Sequence, residues 1–169
     1  MKTIELIRRA RDFDGDYDTF IKGLDGYFSE HALLDSLLKY SEFRKILVEM
    51  ENLVDEKGWG YATRNALFRF GVDLKVSGLE NVPLEGSNLY LVNHPWGVLE
   101  GFALMAGLDD YLASHGKGFR IMGNIRLGAV KGLGQKLIAV DPDGRAGGLG
   151  INYKAFREMF KMIKRKEDL

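Results

Sequence analysis

The spacing of the apolar residues changes near residue 71, and this change constrains the fold more than any other feature of the chain. Over residues 1–70, apolar side chains recur at helical spacing, as in residues 33–38. Residues 72–76 then alternate apolar and charged side chains, which is typical of a half-buried strand. We therefore predict an N-terminal helical region over residues 1–70 and the strands within residues 71–169.

The second region alternates between strand and helix patterns. A continuous apolar run such as residues 89–92 is typical of a strand covered on both faces. The pattern predicts strands at residues 72–76, 89–92, 118–122 and 137–140, and helices at 99–112 and from residue 153 onward. The fold class is therefore predicted to be α/β, with a helical N-terminal region followed by a mostly parallel sheet with crossover helices.

Composition excludes several classes of protein. Hydrophobic residues make up 46% and aromatic residues 11% of the 169 residues, which excludes a disordered chain and allows one domain with a core. The 24 basic and 24 acidic residues balance, so net charge does not favour nucleic acid as a partner. The absence of cysteine excludes disulfides and a thiol nucleophile. Because no apolar run approaches the ~20 residues of a spanning helix, any membrane contact is expected to be peripheral.

Residues 93–101, Asn-His-Pro-Trp-Gly-Val-Leu-Glu-Gly, form the candidate catalytic motif. An apolar strand ends here in an Asn-His-Pro turn, and Glu100 follows His94 by six residues. A histidine delivered to a turn beside an orienting carboxylate is how proteins present a general base. Gly97 and Gly101 let a ligand approach the backbone, and the helix that follows offers free amides to an anionic group. The alternative is a histidine that only caps the turn.

The other candidate sites are weaker. The aspartates in residues 12–18 alternate like a calcium loop, but Tyr17 and Gly23 stand where such a loop needs glycine and glutamate. The glycines between residues 128 and 150 match no phosphate-binding motif. His31 and His115 are predicted to be surface or capping residues of helices, and no metal site is predicted.

The chain resembles the glycerophospholipid acyltransferases, which include the 1-acylglycerol-3-phosphate acyltransferases. It is most similar to the branch of hemolysin-like and ornithine-lipid acyltransferases, whose first motif reads approximately N-H-P-x-G-x-L-[DE]-G. Residues 93–101 match this motif, and residues 70–83 are similar to the segment that precedes it. Residues 122–124 and 138–142 resemble the second block of the family.

The resemblance implies transfer of a fatty acyl group from acyl-CoA or acyl-carrier protein to a hydroxyl of a lysolipid-type acceptor, with no further cofactor. His94 would accept the hydroxyl proton and Glu100 would orient the imidazole, although the wider family has an aspartate five residues past the histidine. The implied substrate-binding residues are Asn93, Gly97, Gly101, Asn124, Arg126 and Lys131. Arg126 is the first candidate for a phosphate or phosphopantetheine contact, and Lys131, Arg120 and Arg145 are further ones.

The family's third motif, close to F-P-E-G-[ST], does not occur in the sequence. We therefore expect residues 71–169 to be the N-terminal part of an acyltransferase α/β domain, with an incomplete sheet and self-association through its exposed edge. The expected location is the cytoplasm, peripheral at the inner face of the cell membrane, with the basic helix over residues 154–166 on anionic lipid. Two alternatives stay open: a non-catalytic remnant that binds lipid or acyl carrier, and an acyl-thioester hydrolase.

Overall fold

A computed structural model describes residues 17–93, 95, 97–130, 132–143 and 148–169. This part of the chain contains five α-helices and two strands. The helices are α1 (Tyr17–Glu30), α2 (Ala32–Leu38), α3 (Tyr40–Arg69), α4 (Val98–Ser114) and α5 (Gly148–Arg165), and the strands are β1 (Ile121–Asn124) and β2 (Leu137–Val140). The structure is therefore compatible with the predicted α/β class but is mostly helical.

The N-terminal helices confirm the helical prediction for residues 17–69, while residues 1–16 lie outside the described residues. Lys39 has a left-handed backbone (φ 53°) that separates α2 from α3. Within α3, Gly58 has φ 79° and ψ 171°, a conformation that glycine adopts without strain and that kinks the helix.

The hydrophobic core lies mainly between α3 and α4. Small side chains at Ala62, Ala66 and Ala106 are fully buried, so the two helices approach closely. Larger side chains fill the space around them, including Met50, Leu67, Phe102, Met105 and Leu112. Because α4 begins within the candidate motif, this packing fixes the position of the helix on which Glu100 and Gly101 lie.

The sheet is smaller than predicted. β1 and β2 pair in parallel, with Ile121 opposite Leu137 and Asn124 opposite Val140. The strand predicted at 137–140 is confirmed, and the one predicted at 118–122 lies a few residues later. The strands predicted at 72–76 and 89–92 are wrong as regular strands, since neither segment forms a regular ladder. The alternation of apolar and charged residues indicates which side chains face the core, as those of Val72 and Leu74 do. It does not determine whether a neighbouring strand is present to pair with the segment.

Residues 168–169 lie between two other segments and pair in parallel with each of them. Asp168 makes a parallel bridge with Phe119. On the other side, the Leu169 N–H donates to the Asn88 carbonyl (2.9 Å), and the Tyr90 N–H donates to the Leu169 carbonyl (2.8 Å). This alternation is the pattern of parallel strands. The extended segment that leads to His94 therefore runs in the same direction as β1 and β2.

Candidate active site

The carboxyl ends of these parallel segments meet at one edge of the molecule. Asn93 follows the first segment, Asn124 ends β1, and Asp141 follows β2. α4 and α5 both begin at this edge, at Val98 and Gly148. In open α/β sheets, ligands bind outside the carboxyl ends of the strands. The fold thus brings Asn93, residues 97–101 and residues 124–126, which are far apart in sequence, to the edge where a ligand site is expected.

Three predicted site residues, His94, Lys131 and Arg145, lie outside the described residues. The proposed His94–Glu100 pair therefore stays a prediction from the sequence. Asn93 is exposed at the end of its extended segment. Glu100 is half-buried in the first turn of α4, where the positive end of the helix dipole stabilises a carboxylate.

The two glycines of the motif differ in what the fold demands of them. Gly97 precedes α4 with φ 74° and ψ −120°, a conformation that strains any residue with a Cβ. Gly101 has ordinary helical geometry, and a Cβ built on it would have no heavy atom of the described residues within 4 Å apart from its chain neighbours and the backbone of its own helix. Backbone geometry therefore explains Gly97, whereas protein packing does not explain Gly101. Among the described residues, none outside this part of α4 fills the space beside Gly101.

Asn124 and Arg126 are linked at the end of β1. The Arg126 N–H donates to Asn124 Oδ1 (3.0 Å), so the Asn124 side chain caps the short 3₁₀ turn Ile125–Ala129. The Arg126 guanidinium is partly exposed and donates to Asp143 Oδ2 at 2.6 Å. This ion pair joins the end of β1 to the loop after β2, so Arg126 is a positioned cation that a phosphate would have to share with Asp143.

Arg120 is not part of this site. It precedes β1, on the order of 13 Å from the carboxyl end at about 3.3 Å per residue. Its guanidinium donates to the Leu137 carbonyl (2.9 Å) and to Glu158 Oε1 (3.2 Å). The prediction that Arg120 contacts a substrate phosphate is therefore wrong for this site. Its charge instead connects the start of β2 to α5.

Asp141 lies at this edge, and it was not among the residues singled out from the sequence. It is almost fully buried, and its backbone N–H donates to Asn152 Oδ1 (2.8 Å) while Asn152 Nδ2 donates to its carbonyl (3.0 Å). A Cβ on Gly148 would lie 2.7 Å from Asp141 Oδ2, so only glycine lets α5 begin this close. The available signal was an aspartate directly after a buried strand and before Pro142.

Asp168 is the second missed residue, and it holds the segment that leads to the motif. Its fully buried carboxylate accepts hydrogen bonds from the Asn88 N–H (3.0 Å), Tyr90 Oη (3.0 Å) and Lys117 Nζ (2.9 Å). Burial and the bond to Asp168 raise the pKa of Tyr90 to about 12. Burial disfavours the charged form of Asp168, but the bonds from Lys117 and Asn88 outweigh it and lower its pKa.

Comparison with known proteins adds no relative, since no family model, curated protein or solved structure matches this chain. Within the described residues, no group of three or more histidine, aspartate or glutamate side chains is placed to hold a metal ion. In the same part of the chain, no helix combines the length and the apolar character needed to cross a membrane.

Proposed function

We propose that this protein transfers a fatty acyl group from acyl-CoA or acyl-carrier protein to a hydroxyl of a lysolipid-type acceptor. One observation carries the proposal: residues 93–101 resemble an acyltransferase motif, and the described residues Asn93 and Gly97 of that segment stand where the extended segment meets α4, at the edge expected to bind ligands. The motif and the position of its flanking residues are independent arguments for the same place in the molecule.

In the proposed reaction, the imidazole of His94 accepts the proton of the acceptor hydroxyl as its oxygen attacks the thioester carbonyl carbon. The carbon–sulfur bond then breaks, and the proton passes from the imidazolium to the leaving thiolate. The products are an ester and a free thiol. Glu100 orients the imidazole and stabilises its charge, as the acid does in a Ser-His-Asp triad in which the substrate hydroxyl takes the place of serine.

The proposed substrate contacts lie at the same carboxyl edge of the strands. In this proposal the substrate occupies the space beside Gly101, close to the α4 backbone, and Asn93 and Gly97 are further contacts. Arg126 faces the phosphate or phosphopantetheine group, with Lys131 as a second contact. A reaction of this kind would take place in the cytoplasm, peripherally at the inner face of the cell membrane.

The test measures release of free thiol from palmitoyl-CoA, with and without lysophosphatidic acid, by the wild type and by His94→Ala. Release that requires both the acceptor and His94 supports transfer. Release that requires His94 alone indicates a thioester hydrolase, and release equal to that of a folded His94→Ala variant leaves a non-catalytic remnant that binds lipid or acyl carrier. Glu100→Gln tests the role of the orienting acid separately from that of the base His94. Its loss is expected to lower the rate of thiol release without changing the dependence of that rate on the acceptor.

A further inference from the structure

α5 has two apolar faces, of which the core uses one. Its inner face consists of Gly148, Ala155 and Met162, which are buried, and Ala155 and Met162 pack against Ile138 of β2. Its outer face carries a second apolar row of exposed side chains: Leu149, Tyr153, Phe156, Phe160 and Ile163. We call this row the outer stripe.

The outer stripe is continuous and strongly exposed. Its members follow one another at intervals of three and four residues, so they lie along one side of the helix over about 21 Å at 1.5 Å per residue. Tyr153 is 70% exposed and Phe160 is 59% exposed. Isolated exposed apolar residues are common on protein surfaces, but a contiguous aromatic row marks a surface for interaction.

Positive charge lies alongside this row. A shallow groove on α5 is lined by Tyr153, Phe156 and Phe160 together with Arg157, Lys161 and Lys164. The helix contains five basic residues and one acidic residue, Glu158. Glu158 contacts Lys161 (3.3 Å) and Arg120 (3.2 Å), and the bond from Lys161 lowers its pKa, so it stays ionised beside them. The exposed side of α5 is therefore both apolar and cationic.

We propose that the outer stripe of α5 docks on an anionic lipid surface. An interfacial helix places its apolar residues at the boundary of headgroups and acyl chains while its lysines and arginines contact anionic headgroups. A second copy of this chain fits the surface less well, because two such helices would bring like charges together. Charge complementarity thus selects the lipid surface as the occupant.

The orientation has a consequence for the candidate site. α5 begins at Gly148, in contact with Asp141 at the carboxyl edge of the strands. A helix lying flat on the membrane therefore brings this edge next to the lipid, where a lysolipid acceptor resides. The docking itself is independent of acyl transfer, whereas the delivery of acceptor rests on the proposed function.

The test is cosedimentation of the full chain with vesicles of phosphatidylcholine alone and with vesicles of equal parts phosphatidylcholine and phosphatidylglycerol, without any acyl donor. We expect binding to the anionic vesicles, and at least about a tenfold loss in Phe156→Ser/Phe160→Ser. The control, Leu37→Ser/Phe68→Ser, removes two apolar side chains on α2 and α3 that are more exposed than Phe156 and Phe160, and it is expected to bind like the wild type. Circular dichroism verifies that each variant is folded.

The contribution of charge is tested with Arg157→Gln/Lys164→Gln, for which we expect about a tenfold loss in binding to the anionic vesicles. Its control is Lys22→Gln/Lys45→Gln, for which we expect little change in binding. Equal binding to both kinds of vesicle, or equal losses in variants and controls, overturns the proposal. It is also overturned if the stripe variant only converts a dimer to a monomer in light scattering. His94→Ala is expected to bind like the wild type, so failure of the docking is distinguishable from failure of the acyl transfer.

Discussion

The carboxylate of Asp168 is fully buried and lies 2.9 Å from the Nζ of Lys117. The Lys117 ammonium also donates to the Gly86 carbonyl at 3.1 Å, so one ion pair joins the end of the chain to the loop before residues 88–92. Because Asp168 also accepts from Asn88 and Tyr90, it determines where the segment leading to His94 runs.

Replacement of Asp168 is expected to destabilise the protein strongly. Asp168→Ala leaves the ammonium and the Asn88 N–H without their buried acceptor, and we expect a loss of about 2–4 kcal/mol in the free energy of unfolding. Denaturant unfolding measures the loss. The control is Asp73→Ala, which removes an exposed carboxylate and should cost less than about 0.5 kcal/mol. Equal losses in the two variants would contradict the positioning role of Asp168.

Because of the Asp168 carboxylate, we expect the free energy of unfolding to decrease in acid. Its pKa in the folded state is lower than the ordinary value of 3.8, so the unfolded chain binds this proton at a higher pH than the folded one. The stability that it contributes is therefore complete above the unfolded pKa and is lost as the pH falls through the folded pKa. Unfolding measured from neutral pH into the acid range should show this loss, and Asp168→Asn should reduce its slope.

The motif glycines are expected to respond to alanine in opposite ways. Gly101→Ala introduces a better helix former without a clash and should stabilise the fold by about 0.8–1 kcal/mol, while it lowers thiol release because it fills the space proposed for substrate. Gly97→Ala should instead destabilise by about 1–2 kcal/mol, because its φ is positive. Thermal unfolding and the thiol assay check both. Full activity in a stabilised Gly101→Ala would exclude close contact of substrate at this position.

The Arg126–Asp143 pair makes a prediction about substrate affinity. If Arg126 contacts a phosphate, Arg126→Gln raises KM for a phosphate-bearing acceptor about tenfold, because charge-assisted contacts contribute roughly 1.5–3 kcal/mol each. Asp143→Asn releases the guanidinium from its competing carboxylate and should lower the same KM. Steady-state kinetics with lysophosphatidic acid tests both. A change in the same direction for the two variants would assign the pair a structural role only.

Self-association is expected through residues 89–92. Leu169 pairs beside Asn88 and Tyr90, but the described residues provide no paired strand alongside Leu91 and Val92, and Leu91 is 87% exposed. An extended apolar edge of this kind favours pairing between molecules. Light scattering at micromolar concentration should detect oligomers, and Leu91→Lys should reduce them. A wild type that remains monomeric would refute the expectation.

Local pattern sufficed for much of the secondary structure. Helical spacing predicts most of residues 17–69 and 98–114 because a helix is built from contacts three and four residues apart. The apolar run at 137–140 appears as β2, and its first two side chains are buried. These features depend on neighbours in sequence, and the sequence therefore contains them directly.

The motif of residues 93–101 and the helix and strand patterns were determined by the sequence alone. The tertiary structure decided which segments pair and which charges reach the carboxyl edge. Asn88 and Asp168 are 80 residues apart, so no spacing rule connects them, and Asp168 was missed for that reason. Arg120 was assigned to the wrong place because residue type predicts what a guanidinium binds but not which end of a strand carries it. Such pairings depend on how distant segments pack, which only the folded chain specifies.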